Sequence, residues 1–233
     1  MPTDLHLALQ RHYAGEDGLL EAPLAGYLVD AVREGVAYEI QTGNFAALRG
    51  KLAALAEQGP VVLVYPVAQV KTIVRLDPET GEELSARRSP KRGRVTEVGR
   101  ELLYLTEALR HGNLALEVVL TAERELRQDD GRGSWRRRGV SRVGRELVEV
   151  VETHRFERQE DFLRLLPEGL GEPFTTAELA EAGKLTKALA GRLAYGLWKL
   201  GALERVGKRG NAHLYGRAEG GRRRKGARRP KSA

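Results

Sequence analysis

Apolar and polar positions along this chain alternate, run together, or recur at three- and four-residue intervals, and each rhythm predicts a different element. Over residues 4–13, Leu5, Leu9 and His12 fall on one helical face, so a short helix is expected. "GLLEAPLAG" (18–26), punctuated by Gly and Pro, reads as a short edge strand. "LVDAVREGVAYEIQTGNF" (28–45) reads as two strands joined by a two-residue turn at Glu34-Gly35. Asn44 is an N-cap residue type, and Phe45, Leu48, Leu52 and Leu55 make the apolar stripe of a helix over 44–58 that Gly59 stops. "PVVLVYPV" (60–67) is a continuous apolar run, as in a strand covered on both faces. "VKTIVRLD" (70–77) predicts a further strand, ending in the turn "PETGEE". A helix is expected over 96–110, capped by Thr96, with Leu102, Leu105 and Leu109 inside. Strands follow over 114–127 and 145–156, separated by the loop "DDGRGSWRRRG", and then a short helix, "QEDFLRLLP".

Strands interleaved with helices predict an α/β domain over residues 1–166, a mixed β-sheet with flanking helices. A second module, 173–217, begins after the Gly/Pro stretch "PEGLGEPF". Thr175 and Glu178 form a capping box at a short helix. In "LTKALAGRLAYGLWKLG", Leu189, Leu193, Leu197 and Leu200 share one face, and Lys187, Arg192, Tyr195 and Lys199 lie away from it. "ALERVGKRGNAHLYGR" then reads as a β-hairpin whose tip carries Lys208 and Arg209.

Composition narrows the function classes. The 233 residues are 41% hydrophobic and 30% charged, the balance of a folded, soluble chain. No apolar run reaches membrane-spanning length, so no membrane partner is expected. "MPTDLHLALQRHY" lacks the basic start and apolar run of a signal peptide. The absence of cysteine excludes disulfides, thiolate nucleophiles and cysteine-ligated metals, and the expected compartment is the cytoplasm. The net charge is +7, and the seven Arg and Lys residues of the acid-free tail "GRRRKGARRPKSA" account for all of it. Residues 218–233 are expected to be a disordered basic tail, serving either solubility or electrostatic contact with nucleic acid.

The hairpin at 28–41 poses a chemical problem. With Glu34-Gly35 as the turn, Arg33 faces Val36, and the same register sets Asp30 opposite Glu39, with Gln41 two residues further along the same face. Val29, Ala31, Tyr38 and Ile40 would take the other face. Two opposed carboxylates repel and raise one another's pKa. Either a basic side chain such as Arg33 neutralises them, or they hold a cation. Two carboxylates with room for water and phosphate suit Mg²⁺.

An acid, a turn, a strand with E-x-K, a helix and a further strand make up the core that this chain resembles, that of the PD-(D/E)XK nuclease superfamily. Here the pattern occurs as Asp30, then Glu39-Ile40-Gln41, then the helix over 44–58, then "VVLVYPV". The resemblance covers residues 4–76 and implies a restriction-endonuclease-like fold and metal-dependent phosphodiester hydrolysis. It implies that Asp30 and Glu39 bind Mg²⁺ or Mn²⁺, and that Glu21 or Glu16 takes the part of an upstream acid. The usual third residue is Lys, and here it is Gln41. The catalytic set read in this way is Asp30, Glu39, Gln41 and Lys51. Lys51 or Lys71 could supply the missing cation, or the site could be inactive and the fold only bind DNA.

The second module resembles a winged helix-turn-helix over 173–217. That resemblance implies Lys187, Arg192, Tyr195 and Lys199 facing DNA, with Lys208 and Arg209 on phosphates. A module for protein contacts is the competing reading. "RRSPKRGR" (87–94) and "RGSWRRRG", the latter with Arg136, Arg137 and Arg138 beside Trp135, are two further basic segments, either phosphate-binding loops or solvated connectors. His6, His12, His111, His154 and His213 show no ligand spacing, and no phosphate-loop or serine-hydrolase motif occurs. The reading that emerges is a metal-dependent DNA endonuclease with winged-helix DNA binding. The alternative is a non-enzymatic DNA-binding regulator on an inactivated nuclease fold. A protein-interaction adaptor is a third class. RNA as the partner and a homodimer as the working state stay open.

Overall fold

The computed structural model describes residues 4–135 and 138–218. In chain order the elements are α1 (Asp4–Ala14), β1 (Leu19–Leu24), β2 (Tyr27–Arg33), β3 (Val36–Ile40), α2 (Arg49–Gln58), β4 (Val61–Leu76), β5 (Glu83–Arg88), β6 (Leu114–Asp129), β7 (Val140–Phe156), α3 (Thr176–Ala182), α4 (Lys187–Leu200), β8 (Leu203–Arg209) and β9 (Ala212–Arg217). The first seven strands form one mixed sheet in the order β1-β2-β3-β4-β6-β7, and β5 pairs with the C-terminal half of β4. β3, β4 and β6 run parallel, and the remaining pairs are antiparallel. The β2–β3 turn falls at Glu34-Gly35, where both residues have positive φ (52° and 76°), the twist that a two-residue hairpin needs.

The sheet is covered on both faces. On one, α1 buries Leu5 and Leu9 against Ile40, Val62, Val64, Ala115 and Val119. Each fully buried leucine contributes roughly 1.5–3 kcal/mol toward docking α1 on the sheet. On the other, Phe45, Leu52 and Leu55 pack over Val29, Ala37, Val61 and Leu63. β4 is therefore apolar on both sides at its start, as its unbroken run predicts. The second core does not stop at the sheet. It continues through Val98, Leu102 and Leu105 into Leu179, Leu193 and Leu197 of α3 and α4. The two modules expected at 1–166 and 173–217 share one core.

Several expected elements take another form. Asn44 does not cap a helix: it is left-handed, its side chain makes no cap bond, and a 3-10 turn, Phe45–Leu48, leads into α2. The strands expected at 60–67 and 70–77 are a single strand, bulged between Ala68 and Val70. The helix expected over 96–110 is three short 3-10 segments, although Leu102, Leu105 and Leu109 are buried as its stripe requires. Val95, Thr96, Val98 and Gly99 are poor helix formers. A Cβ at Gly99 would lie 3.1 Å from that of Leu193. The backbone is shaped there by α4 rather than by its own periodicity. Arg87 and Arg88, expected in a loop, lie in β5. The basic tail, apart from Ala218, lies outside the described residues, as do Arg136 and Arg137. Among the described residues, no helix is long and apolar enough to cross a membrane.

Candidate active site

The hairpin register is the one read from the turn: Arg33 faces Val36, and Ala31 faces Tyr38. Pairing stops just before Asp30 and Glu39, because Asp30 takes over a ladder bond with its side chain. Asp30 Oδ2 accepts the Ile40 N–H at 2.7 Å, the role a strand carbonyl would otherwise play. Asp30 Oδ1 accepts from His6 Nε2 at 2.9 Å and from Gln10 Nε2 at 2.8 Å. His6 and Gln10 are four residues apart and so share one side of α1. Glu39 belongs to the alternate set of β3 positions, with Ala37, which face α2. There Lys51 Nζ donates to Glu39 Oε1 at 2.5 Å. The two carboxylates are neighbours, but one is held by α1 and the other by α2. The Asp30–Ile40 bond replaces regular pairing where the two side chains were expected to align, and the groups still act on one another: the Asp30 charge raises Glu39, and the Glu39 charge raises His6.

The charge states differ accordingly. Burial acts to raise the Asp30 carboxyl, but the bonds from His6 and Ile40 outweigh it and hold the group below its ordinary range. The bond to Asp30 raises His6 in turn, against the effect of burial. Burial pushes Glu39 up, Lys51 offsets part of that, and the Asp30 charge adds to the rise. Glu39 is 5% exposed, and its Oε2 is buried with no hydrogen-bond partner. A dry carboxylate oxygen without a partner is costly unless a cation or proton compensates it.

That open oxygen, with the Asp30 carboxylate beside it, is a donor set that fits one hard divalent ion completed by waters. Among the described residues, no group of three or more His, Asp and Glu side chains is arranged to hold a metal by itself. Gln41 donates its side-chain amide to Gly43 O at 2.6 Å rather than to either acid, so it shapes the loop after β3. Arg33 pairs with Glu34 at the turn and does not neutralise the acids. Lys71 donates to Glu125 instead. Glu16 and Glu21 are exposed; the residues that reach Asp30 from upstream are His6 and Gln10. The sequence reading sets His6 aside for want of ligand spacing and does not single out Gln10. Their available signal was position, a polar pair at i and i+4 beside the buried Leu5 and Leu9.

The second group of residues lies on the C-terminal module. Thr175 caps α3, with Glu178 completing the box. α4 buries its leucines, and Lys187, Arg192 and Tyr195 are exposed, with Lys199 half-buried. Lys199 Nζ lies 4.8 Å above the Trp198 ring and 5.7 Å from that of Tyr195. Arg205 of β8 stacks on Trp198 at 3.9 Å, and sequence reading singled out neither residue of that pair. Lys208 is exposed at the hairpin tip, whereas Arg209 is tied to Glu178 at 2.7 Å.

The chain belongs to the family defined by a domain of unknown function, DUF8091, whose profile matches residues 3–157, from α1 to just past the end of β7. It is 31% identical over 182 residues to an uncharacterized protein of Treponema pallidum (strain Nichols), a match covering 78% of this chain and 72% of that one. No solved structure matches the chain.

Proposed function

We propose that this protein is a metal-dependent nuclease that hydrolyses phosphodiester bonds in DNA. The observation carrying the reading is the Asp30–Glu39–Lys51 constellation, with its buried and unpartnered Glu39 Oε2. Support also comes from element order: a helix, three antiparallel strands, a helix and a parallel strand, with the acids on β2 and β3. Lys51 supports it further, because α2 delivers a cation to Glu39 where the E-x-K pattern has Gln41. Asp30 and Glu39 would hold Mg²⁺ or Mn²⁺. When bound, that ion supplies Lewis-acid polarisation of a phosphoryl oxygen and a water of lowered pKa. His6 and Gln10 fix the Asp30 carboxylate. Lys51, a compact charge on a flexible stem, stabilises negative charge developing beside Glu39. The helix–turn–helix and hairpin formed by α3, α4, β8 and β9 would act as a winged helix. Its DNA contacts would be Lys187, Arg192, Tyr195, Lys199 and Lys208.

A second reading rests on a specific observation. The Asp30 carboxylate already accepts three hydrogen bonds, as a purely structural group would. In that case the protein binds DNA without cutting it. Cleavage assays with Mg²⁺ and with Mn²⁺ on single-stranded, duplex and branched DNA separate the two. On the nuclease reading, Glu39→Gln abolishes cutting and leaves DNA binding intact, and Lys51→Ala slows cutting by roughly 10²–10³-fold, the usual cost of one electrostatic stabiliser. If the wild type cuts none of these substrates with either ion, the binding-only reading takes its place.

A further inference from the structure

The two basic segments that stand about fifty residues apart in sequence meet in space. The C-terminal half of β4, with β5, the end of β6 and the start of β7, extends the sheet into an arm. A hollow of about 340 Å³ on this arm is lined by Arg75, Arg87, Arg127 and Arg138, with Ile73, Ser85 and Val140 between them. Arg87 comes from the first basic segment and Arg138 from the second. Cross-strand register explains the gathering. Ile73 faces Arg87 across β4–β5, and Arg75, Arg127 and Arg142 stand in one row across β4, β6 and β7. Like charges placed directly opposite one another destabilise a sheet. Local acids answer part of this charge: Arg127 and Arg142 share Glu125, and Arg75 lies 3.6 Å from Asp129. The Arg87 and Arg138 side chains have no ion-pair partner among the described residues, and both are exposed. Trp135, three residues before Arg138, is 83% exposed, and its carbonyl accepts the Arg138 N–H at 3.1 Å.

We propose that this hollow binds the phosphates of a single-stranded DNA segment, with a base stacked on Trp135. Arginines bind phosphate oxygens through paired donors, and an adjacent exposed aromatic accepts any base. A duplex keeps its bases stacked on one another and offers an aromatic side chain little purchase. The site is separate from the Asp30–Glu39 pair and does not depend on cleavage.

The test measures binding of the full chain to fluorescent oligothymidylate by anisotropy, in EDTA, across a salt series. Each single-strand phosphate contact contributes about 0.7 to the log–log salt slope, so Arg87→Ala with Arg138→Ala is expected to lower the slope by about 1.4. The paired Arg→Lys variant should keep the slope, because the charge stays. Trp135→Ala should weaken binding about tenfold at constant slope, since stacking carries no counterion release. The proposal is overturned if the wild type does not bind the oligonucleotide, if the double alanine variant keeps the wild-type slope, or if the slope falls for duplex alone. Because no divalent ion is present, a failure of this site is distinct from a failure of the nuclease reading. Cutting with an unchanged slope sinks the arm alone, and a reduced slope without cutting sinks the nuclease alone.

Discussion

Glu125 and Glu39 are both acids on largely apolar strands, and their surroundings divide them. Glu125 is 1% exposed and meets Lys71, Arg127 and Arg142. Burial acts to raise its carboxyl, but the bonds from Lys71 and Arg127 prevail and bring it from 4.5 to about 2. A carboxylate with a depressed folded-state pKa stabilises the fold above its unfolded value, and that contribution is lost as pH falls through the folded one. Glu125→Gln should therefore cost on the order of 3 kcal/mol at neutral pH, at about 1.36 kcal/mol per pKa unit. The difference from wild type should shrink between pH 4.5 and about 2. Urea midpoints across that range check it, and a difference independent of pH would refute the assignment. Glu39 meets one cation and keeps one bare oxygen, so its carboxyl moves the other way. Sequence could flag Asp30 and Glu39, because a two-residue turn fixes the register of residues close in the chain. It could not find Lys71 and Arg142 around Glu125, because those partners depend on how distant strands line up.

At the scale of elements, local chemistry was readable and long-range shaping was not. The capping box at α3 was legible and is present: Thr175 accepts from the Glu178 amide, and the Glu178 side chain returns to the Thr175 amide at 2.8 Å. Replacing an N-cap threonine costs about 1 kcal/mol. Thr175→Ala should therefore lower the thermal midpoint by about 2–4 °C in a chain of this size. An unchanged midpoint would mean that the Arg209–Glu178 pair, not the cap, fixes the start of α3. The hairpin turns and the doubly covered β4 were legible for the same reason, since each follows from adjacent residues. The run over 96–110 was misread because its leucines fit a helical period while its backbone yields to α4. Gly99 receives Leu193, and Leu102 fills the space beside Gly196. β5 was missed because all six of its residues are exposed, so no hydrophobic pattern marks it. Asn44 has the residue type of a cap, but its left-handed backbone gives the side chain no amide to accept from.

In the whole molecule, the shared core sets the spatial relation between the carboxylate pair and the basic stripe on α4. Leu193 and Leu197 belong to the same buried cluster as Phe45, Leu63 and Leu116 of the sheet layer. Arg94 reaches Gly183 O at 3.2 Å, and Arg110 donates to the Lys199 carbonyl, adding polar ties across the junction. α4 therefore presents Arg192 and Tyr195 outward from a fixed seat rather than on a tether. On the proposed nuclease reading, DNA held by that stripe would lie at a set position relative to Asp30 and Glu39, and cutting would fall at a defined distance from the contact. Leu193→Ala tests the coupling. Truncating a fully buried leucine costs roughly 2–5 kcal/mol, and here the loss falls on both modules at once. In a Trp135→Phe background, Trp198 becomes the single tryptophan and reports on α4, while the β-sheet component of the infrared amide band follows the sheet. The two signals should give one coincident transition in wild type and in Leu193→Ala, shifted to lower denaturant in the variant, because a continuous core unfolds as a unit. A Trp198 transition that precedes loss of the sheet would show α3 and α4 to be independently folded, and would remove the argument for a fixed cutting distance.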